Sequence, residues 1–134
     1  MSPGQTLRLL EGSYAVGQLE PSSPIPSWAE GEGFVSISRT KEELSVVCRE
    51  DRVPRTVKTE RGWRCLEFQG PFDFSLSGIL ASVLGPLAEA RIGIFAVSTY
   101  NTDYLLVKER DLSRAVETLE RAGHTIARTS NAKT

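Results

Sequence analysis

Gly78-Ile-Leu-Ala-Ser-Val-Leu-Gly-Pro-Leu-Ala-Glu-Ala-Arg-Ile-Gly-Ile-Phe-Ala-Val-Ser-Thr-Tyr-Asn-Thr-Asp-Tyr-Leu-Leu-Val107 is the run on which the fold turns. Leu76, Ile79, Leu80, Val83, Leu84 and Leu87 recur at spacings of three and four, which is one helical face built for burial. Ser75 stands ahead of them as an N-cap. Gly85-Pro86 interrupts the pattern. Proline has no N–H for the carbonyl of Ser82, four residues back, so the helix is expected to kink or break there. Ile92 to Ser98 is almost wholly apolar and suits a central strand, buried on both faces or on one face with a tight neighbour. Thr99 to Thr102 makes a turn, and Asp103 to Lys108 returns as a strand. A helix capped by Asp111 follows, with Leu112, Ala115, Val116 and Leu119 inward and Gly123 as a left-handed exit. His124 to Arg128 is a last short strand before a polar tail.

Working outward, Trp63 to Phe68 reads as a strand ahead of that run, joined to it by a connector from Gln69 to Phe74. The order from Trp63 is then β-α-β-β-α-β, the ferredoxin-like unit. In the first half, Leu7–Leu10 and Tyr14–Leu19 flank Glu11-Gly-Ser13 and read as a hairpin. Pro21-Ser-Ser-Pro-Ile-Pro26 is an extended connector. Ser27–Glu30 has room for one helical turn. Phe34–Ser38 and Leu44–Arg49 make a second hairpin, and Glu50–Glu60, with Pro54, is loop or a frayed turn. This first half is a weaker version of the same plan. The expectation is an α+β protein of two ferredoxin-like units, the first eroded, with antiparallel sheets and helices on one face. The division falls at 1–62 and 63–134.

The 134 residues carry 16 basic and 17 acidic side chains, a net charge of −1. Phosphate binding needs a concentrated basic surface, so nucleic acid is not expected as a partner. No apolar run approaches the ~20 residues that span a bilayer. Met1 to Arg8 lacks the basic and apolar segments of a secretory signal, so the expected compartment is the cytoplasm. Cys48 and Cys65 lie singly in strand-like runs and read as reduced, half-buried small hydrophobes. Two thiols and one histidine form no metal-ligand spacing, and no metal or cofactor is expected.

Catalytic residues are not expected. His124, the one histidine, follows a helix-exit glycine and reads as a capping or exposed residue. No Ser or Cys motif pairs with it. Glu42-Glu43 and Glu50-Asp51 sit on polar turns without the apolar setting that tunes a general acid. Gly31 and Gly33 lack the lysine of a phosphate cradle.

Binding chemistry gathers at two places. Asp103 opens a strand after a polar turn, where its carboxylate either closes its own turn or accepts from a ligand amine or guanidinium. Thr99 and Tyr100 share that turn and offer a hydroxyl and a ring wall. Ser77, Gly78 and Ile79 open the helix, whose free N–H groups attract a carboxylate. Glycine at 78 either lets a ligand approach the backbone or serves close packing.

These two segments, Ser98-Thr-Tyr-Asn-Thr-Asp103 and the Gly78-Ile79 helix start, closely resemble the ACT domain. The resemblance is to the group of bacterial tandem-ACT proteins and the CASTOR arginine sensors. It covers most of residues 33–127 and is most specific at 74–107. It implies a non-catalytic sensor of an amino acid or related metabolite, with Ser77, Gly78, Ile79, Thr99, Tyr100 and Asp103 at the ligand. It also implies a ligand held at a unit or subunit interface, a homodimer, and signalling to a regulated protein. The alternative is a protein interaction module with a decayed pocket. Leu76 stands where the arginine sensors carry a glutamate, and Thr102 replaces an aromatic residue, which points away from arginine and toward a smaller or less basic amino acid.

Overall fold

The computed structural model describes residues 4–70 and 78–128. Its elements in chain order are β1 (Thr6–Leu9), β2 (Tyr14–Leu19), β3 (Ser36–Arg39), β4 (Leu44–Arg49), β5 (Lys58–Phe68), α1 (Ile79–Glu89), β6 (Ile94–Ser98), β7 (Asp103–Lys108), α2 (Leu112–Arg121) and β8 (Thr125–Arg128). Three 3-10 turns, at Ser27–Ala29, Glu50–Arg52 and Glu109–Asp111, complete the list of helical segments among the described residues. None of these helices is long and apolar enough to cross a membrane. The chain divides into two compact units. One is Glu11–Trp63; the other joins the residues up to Leu10 with those from Arg64 onward. The first is thus inserted into the second, whereas the sequence reading divides the chain once, at 62/63.

The inserted unit has the strand order β3-β4-β2-β5, every pair antiparallel. With 3-10 turns between β2 and β3 and between β4 and β5, this is the ferredoxin-like order with both helices cut to single turns. An eroded unit is therefore present, but it is built from β2 to β5 and not, as expected, from the strands that begin at Leu7. Strand β5 starts at Lys58, earlier than the expected Trp63, and takes in the end of the expected 50–60 loop. Gly62, at φ 81, lies in the register shift opposite Tyr14–Val16, a bulge that favours glycine.

Losing two helices leaves carbonyls without partners, and arginines supply the donors. The Arg52 guanidinium donates to the carbonyls of Trp28 (3.1 Å), Ala29 (3.3 Å) and Glu32 (3.0 Å). Arg61 donates likewise to Glu50, Val53 and Pro54. The core beneath is small: Ala15, Ala29, Val46, Cys48 and Val53. Arg52→Ala is expected to lower the stability of this unit by about 2 kcal/mol, since charged donors are lost from three carbonyls. Arg52→Lys should recover little, because an ammonium cannot span the fork. Urea unfolding of the full chain measures both, and a loss below about 0.5 kcal/mol for the alanine variant would contradict this role.

The interrupted unit has the strand order β6-β7-β5-β1-β8. β5-α1-β6-β7-α2-β8 is the ferredoxin-like sequence, and β1 is slotted in as a fifth strand between β5 and β8. It runs antiparallel to β5 and parallel to β8. The expected hairpin between Leu7–Leu10 and Tyr14–Leu19 does not form. β1 pairs with β5 and β8, while β2 pairs with β4 and β5. The apolar alternation of Leu7 and Leu9 is satisfied by a distant sheet rather than by the neighbouring strand.

Both helices pack on one face of this sheet. Leu7, Leu9, Leu66, Phe68, Leu105 and Val107 meet Val83, Leu87, Ala115 and Leu119, with Ile79, Leu80 and Leu112 packed against them. Val116, expected inward, is half-buried and lies outside that core. β6 pairs with β7, as expected, but β6 is an edge strand rather than a central one, and its apolar side chains are only partly covered.

α1 continues through Pro86 without breaking. Gly85 helps, because a residue without Cβ avoids one clash that disfavours helix before proline. The carbonyl of Ser82, which Pro86 cannot serve, faces His124 Nε2 at 2.9 Å. The backbone N–H of Gln5 donates to His124 Nδ1, also at 2.9 Å. With Nδ1 accepting, Nε2 carries the proton and donates to Ser82. His124 is therefore buried and bonded through both nitrogens, not an exposed cap. Cys48 and Cys65 are free and fully buried, more so than expected, and burial pushes both thiols up from their ordinary range.

Candidate functional site

The hydrogen bonds of the interrupted unit bring the two candidate segments to one end of its sheet. The end of β5 adjoins the β6–β7 turn, where the Thr102 hydroxyl donates to the carbonyl of Phe68 at 2.9 Å. Gln69 N–H donates to the carbonyl of Thr6 at 2.8 Å, and Thr125 N–H to that of Gln5 at 2.9 Å, so the start of β1 and the start of β8 lie at this same end. His124, beside Thr125, reaches Ser82 in the first turn of α1. The α1 start and the 99–102 turn thus share an end of the unit, although 20 or so residues separate them in sequence.

Gly78 precedes α1 in the left-handed conformation, φ 81 and ψ −4. A Cβ built there meets nothing within 4 Å among the described residues, so the glycine serves the left-handed turn rather than close packing against a described neighbour. Ile79 is half-buried and packs against the core. Its side chain holds the helix, and only its backbone can face a ligand. Ser77, Ser75 and Leu76 lie outside the described residues.

The turn is closed by its own polar groups. Thr99 N–H and its hydroxyl both donate to the Thr102 carbonyl, at 2.8 and 3.0 Å, and Thr102 N–H returns to Thr99 Oγ1 at 3.3 Å. Ser98 and Asp103 face each other across the hairpin, and the serine hydroxyl donates to Asp103 Oδ1 at 2.5 Å. One carboxylate oxygen is thus committed to the turn. Asp103 has the parity of Leu105 and Val107, which places it on the helix side of the sheet. Tyr100 is 82% exposed at the tip of the turn. Ser98 and Thr102, absent from the expected set, orient Asp103 and the turn. The signal for Ser98 was its cross-strand position opposite Asp103, legible once the hairpin register is known.

Comparison with known proteins bears on this site. The family model described as the ACT domain matches residues 58–121, and a model described as an N-terminal domain matches residues 12–56. A Bos taurus protein named "Cytosolic arginine sensor for mTORC1 subunit 1" is 30% identical over 99 residues, 66% of this chain and 30% of that protein. The match therefore spans less than a third of the relative's length. A crystal structure of an Agrobacterium tumefaciens protein superposes with a TM-score of 0.91 at 48% identity, covering 96% of each chain. Aspartate kinase from Clostridium acetobutylicum superposes with a TM-score of 0.63 at 13% identity, over 84% of this chain and 33% of that one, a likeness of fold alone.

Proposed function

We propose a sensing role, from the premise that the chain belongs to the ACT-domain family and is related to the CASTOR arginine sensors. In this proposal the protein is a non-catalytic regulator that binds an amino acid or related metabolite and signals occupancy to a protein partner. The observation that supports it is the sharing of one sheet end by the open backbone at Gly78 and the carboxylate of Asp103. The N–H groups of a helix start attract a ligand carboxylate. The Asp103 oxygen that Ser98 does not hold can accept from an ammonium. Thr99 and Tyr100 complete the turn side, and Ser77 and Ile79 the helix side.

Assembly gives such a receptor its output. β6 is an edge strand of apolar composition, Ile-Phe-Ala-Val-Ser, which a second copy would cover. A ligand held at a twofold seam contacts both copies, so binding is linked to association, with two equivalent sites. The expected compartment remains the cytoplasm.

A second reading is favoured by one observation. Asp103 and Thr99 are already bonded within their turn, as in an interaction module whose pocket has decayed. A thermal-shift screen over the twenty amino acids separates the two. A cognate ligand at ~100 times its Kd adds about 2.7 kcal/mol of stability. Sedimentation at micromolar protein, with and without that ligand, is expected to show a dimer. No stabilisation by any amino acid would favour the interaction module, and a strict monomer under both conditions would remove the seam.

A further inference from the structure

The face of the interrupted unit's sheet opposite its helices carries a second cluster. Leu7, Leu9, Leu66, Phe68 and Leu105 point into the helix-side core. By alternation Arg8, Glu67 and Tyr104 point the other way. The register sets Arg8 directly across from Glu67. The Tyr104 hydroxyl donates to Glu67 Oε2 at 3.0 Å. The three line a cleft of ≈ 310 Å³ with the polar side chains of Gln69, Asn101 and Thr102. That size is at the small end for ligand pockets.

Opposite charges across antiparallel strands ordinarily satisfy each other. Here they do not. Glu67 is held by a tyrosine, and the Arg8 guanidinium makes no hydrogen bond or ion pair with any described residue. A cation whose donors meet no described residue and an oriented carboxylate stand side by side on one concave wall. Their charges sum to zero. A ligand of single charge would meet one attraction and one repulsion, whereas a dipolar ion satisfies both. We propose that this cleft binds a neutral α-amino acid as its zwitterion, the carboxylate on Arg8 and the ammonium on Glu67. The amides of Gln69 and Asn101 and the hydroxyl of Thr102 favour a short polar side chain over an apolar one. This site lies on the opposite face of the sheet from Asp103 and stands independently of the sensing site above.

The test is a titration of the full-length, nitrogen-15-labelled protein with glycine, serine and glutamine, followed by amide NMR. Acetate and methylammonium serve as single-charge controls. The expected result is saturable perturbation of the amides of Arg8, Glu67, Gln69 and Thr102 by the amino acids, and none of comparable size by either control. Arg8→Gln and Glu67→Gln should each weaken that response about tenfold or more. Both variants keep a polar group on the sheet surface, and Glu67→Gln keeps an acceptor for Tyr104. Perturbation at Gly78 and Asp103 that survives Arg8→Gln reports on the other site. The proposal is overturned if only those amides respond, if acetate or methylammonium matches the amino acids, or if both variants titrate like the parent.

Discussion

His124→Ala is expected to lower the stability of the interrupted unit by about 3 kcal/mol, because it strands two backbone groups at once. The carbonyl of Ser82 cannot be served by residue 86, which is proline, and the imidazole takes the place of that donor. The N–H of Gln5 loses the acceptor that holds the start of β1. Each orphaned group costs ~1–3 kcal/mol. The origin of the effect can be isolated in a double-mutant cycle. Pro86→Ala restores an N–H four residues after Ser82, so the carbonyl no longer depends on the histidine. In that background His124→Ala should cost at least 1 kcal/mol less, about the energy of one satisfied carbonyl. Chemical denaturation of the four proteins measures the cycle. Costs that agree within about 0.5 kcal/mol in the two backgrounds would mean that His124 does not replace the missing helix donor.

This pair also shows where the sequence was legible and where it was not. The periodicity of Ile79, Leu80, Val83 and Leu87 located a helix, and Gly85-Pro86 argued for its interruption. The sequence could not reveal that a residue 42 positions away supplies the lost bond, since that partner is created by the sheet. The same gap explains the mistaken hairpin. Leu7-Arg8-Leu9 alternates as a strand should, but alternation names a strand and not its partner. With 11–63 inserted after it, β1 finds β5 and β8 instead. β6 misled for another reason: an apolar run ordinarily signals burial on both faces, and here it marks an edge. At the site, the turn 99–102 and Asp103 were legible because polar residues interrupt two apolar runs. Arg8 and Glu67 passed unnoticed, since single charges in alternating strands usually face water. Only the register sets them opposite each other.

Asp103→Asn tests the sensing site without unmaking the turn, since an amide oxygen can still accept from Ser98. At a ligand concentration ~100 times the parent's Kd, the parent is stabilised by about 2.7 kcal/mol. Loss of a charge-assisted partner weakens binding roughly 10- to 100-fold. The same ligand concentration then stabilises the variant by only about 0.4–1.4 kcal/mol. The helix start is tested by Gly78→Ala and Gly78→Val. Both force a side chain into a left-handed conformation at φ 81, a strain of about 1–2 kcal/mol that lowers stability with or without ligand. A Cβ at this position meets no described residue within 4 Å, so a loss of ligand response beyond that strain is the sign of an approach to this backbone from outside. Alanine should weaken the response and valine should remove it. If the ligand stabilises the asparagine and valine variants as much as the parent, neither Asp103 nor Gly78 touches it. Binding would then belong elsewhere on the molecule, and the resemblance at these two segments would be one of fold.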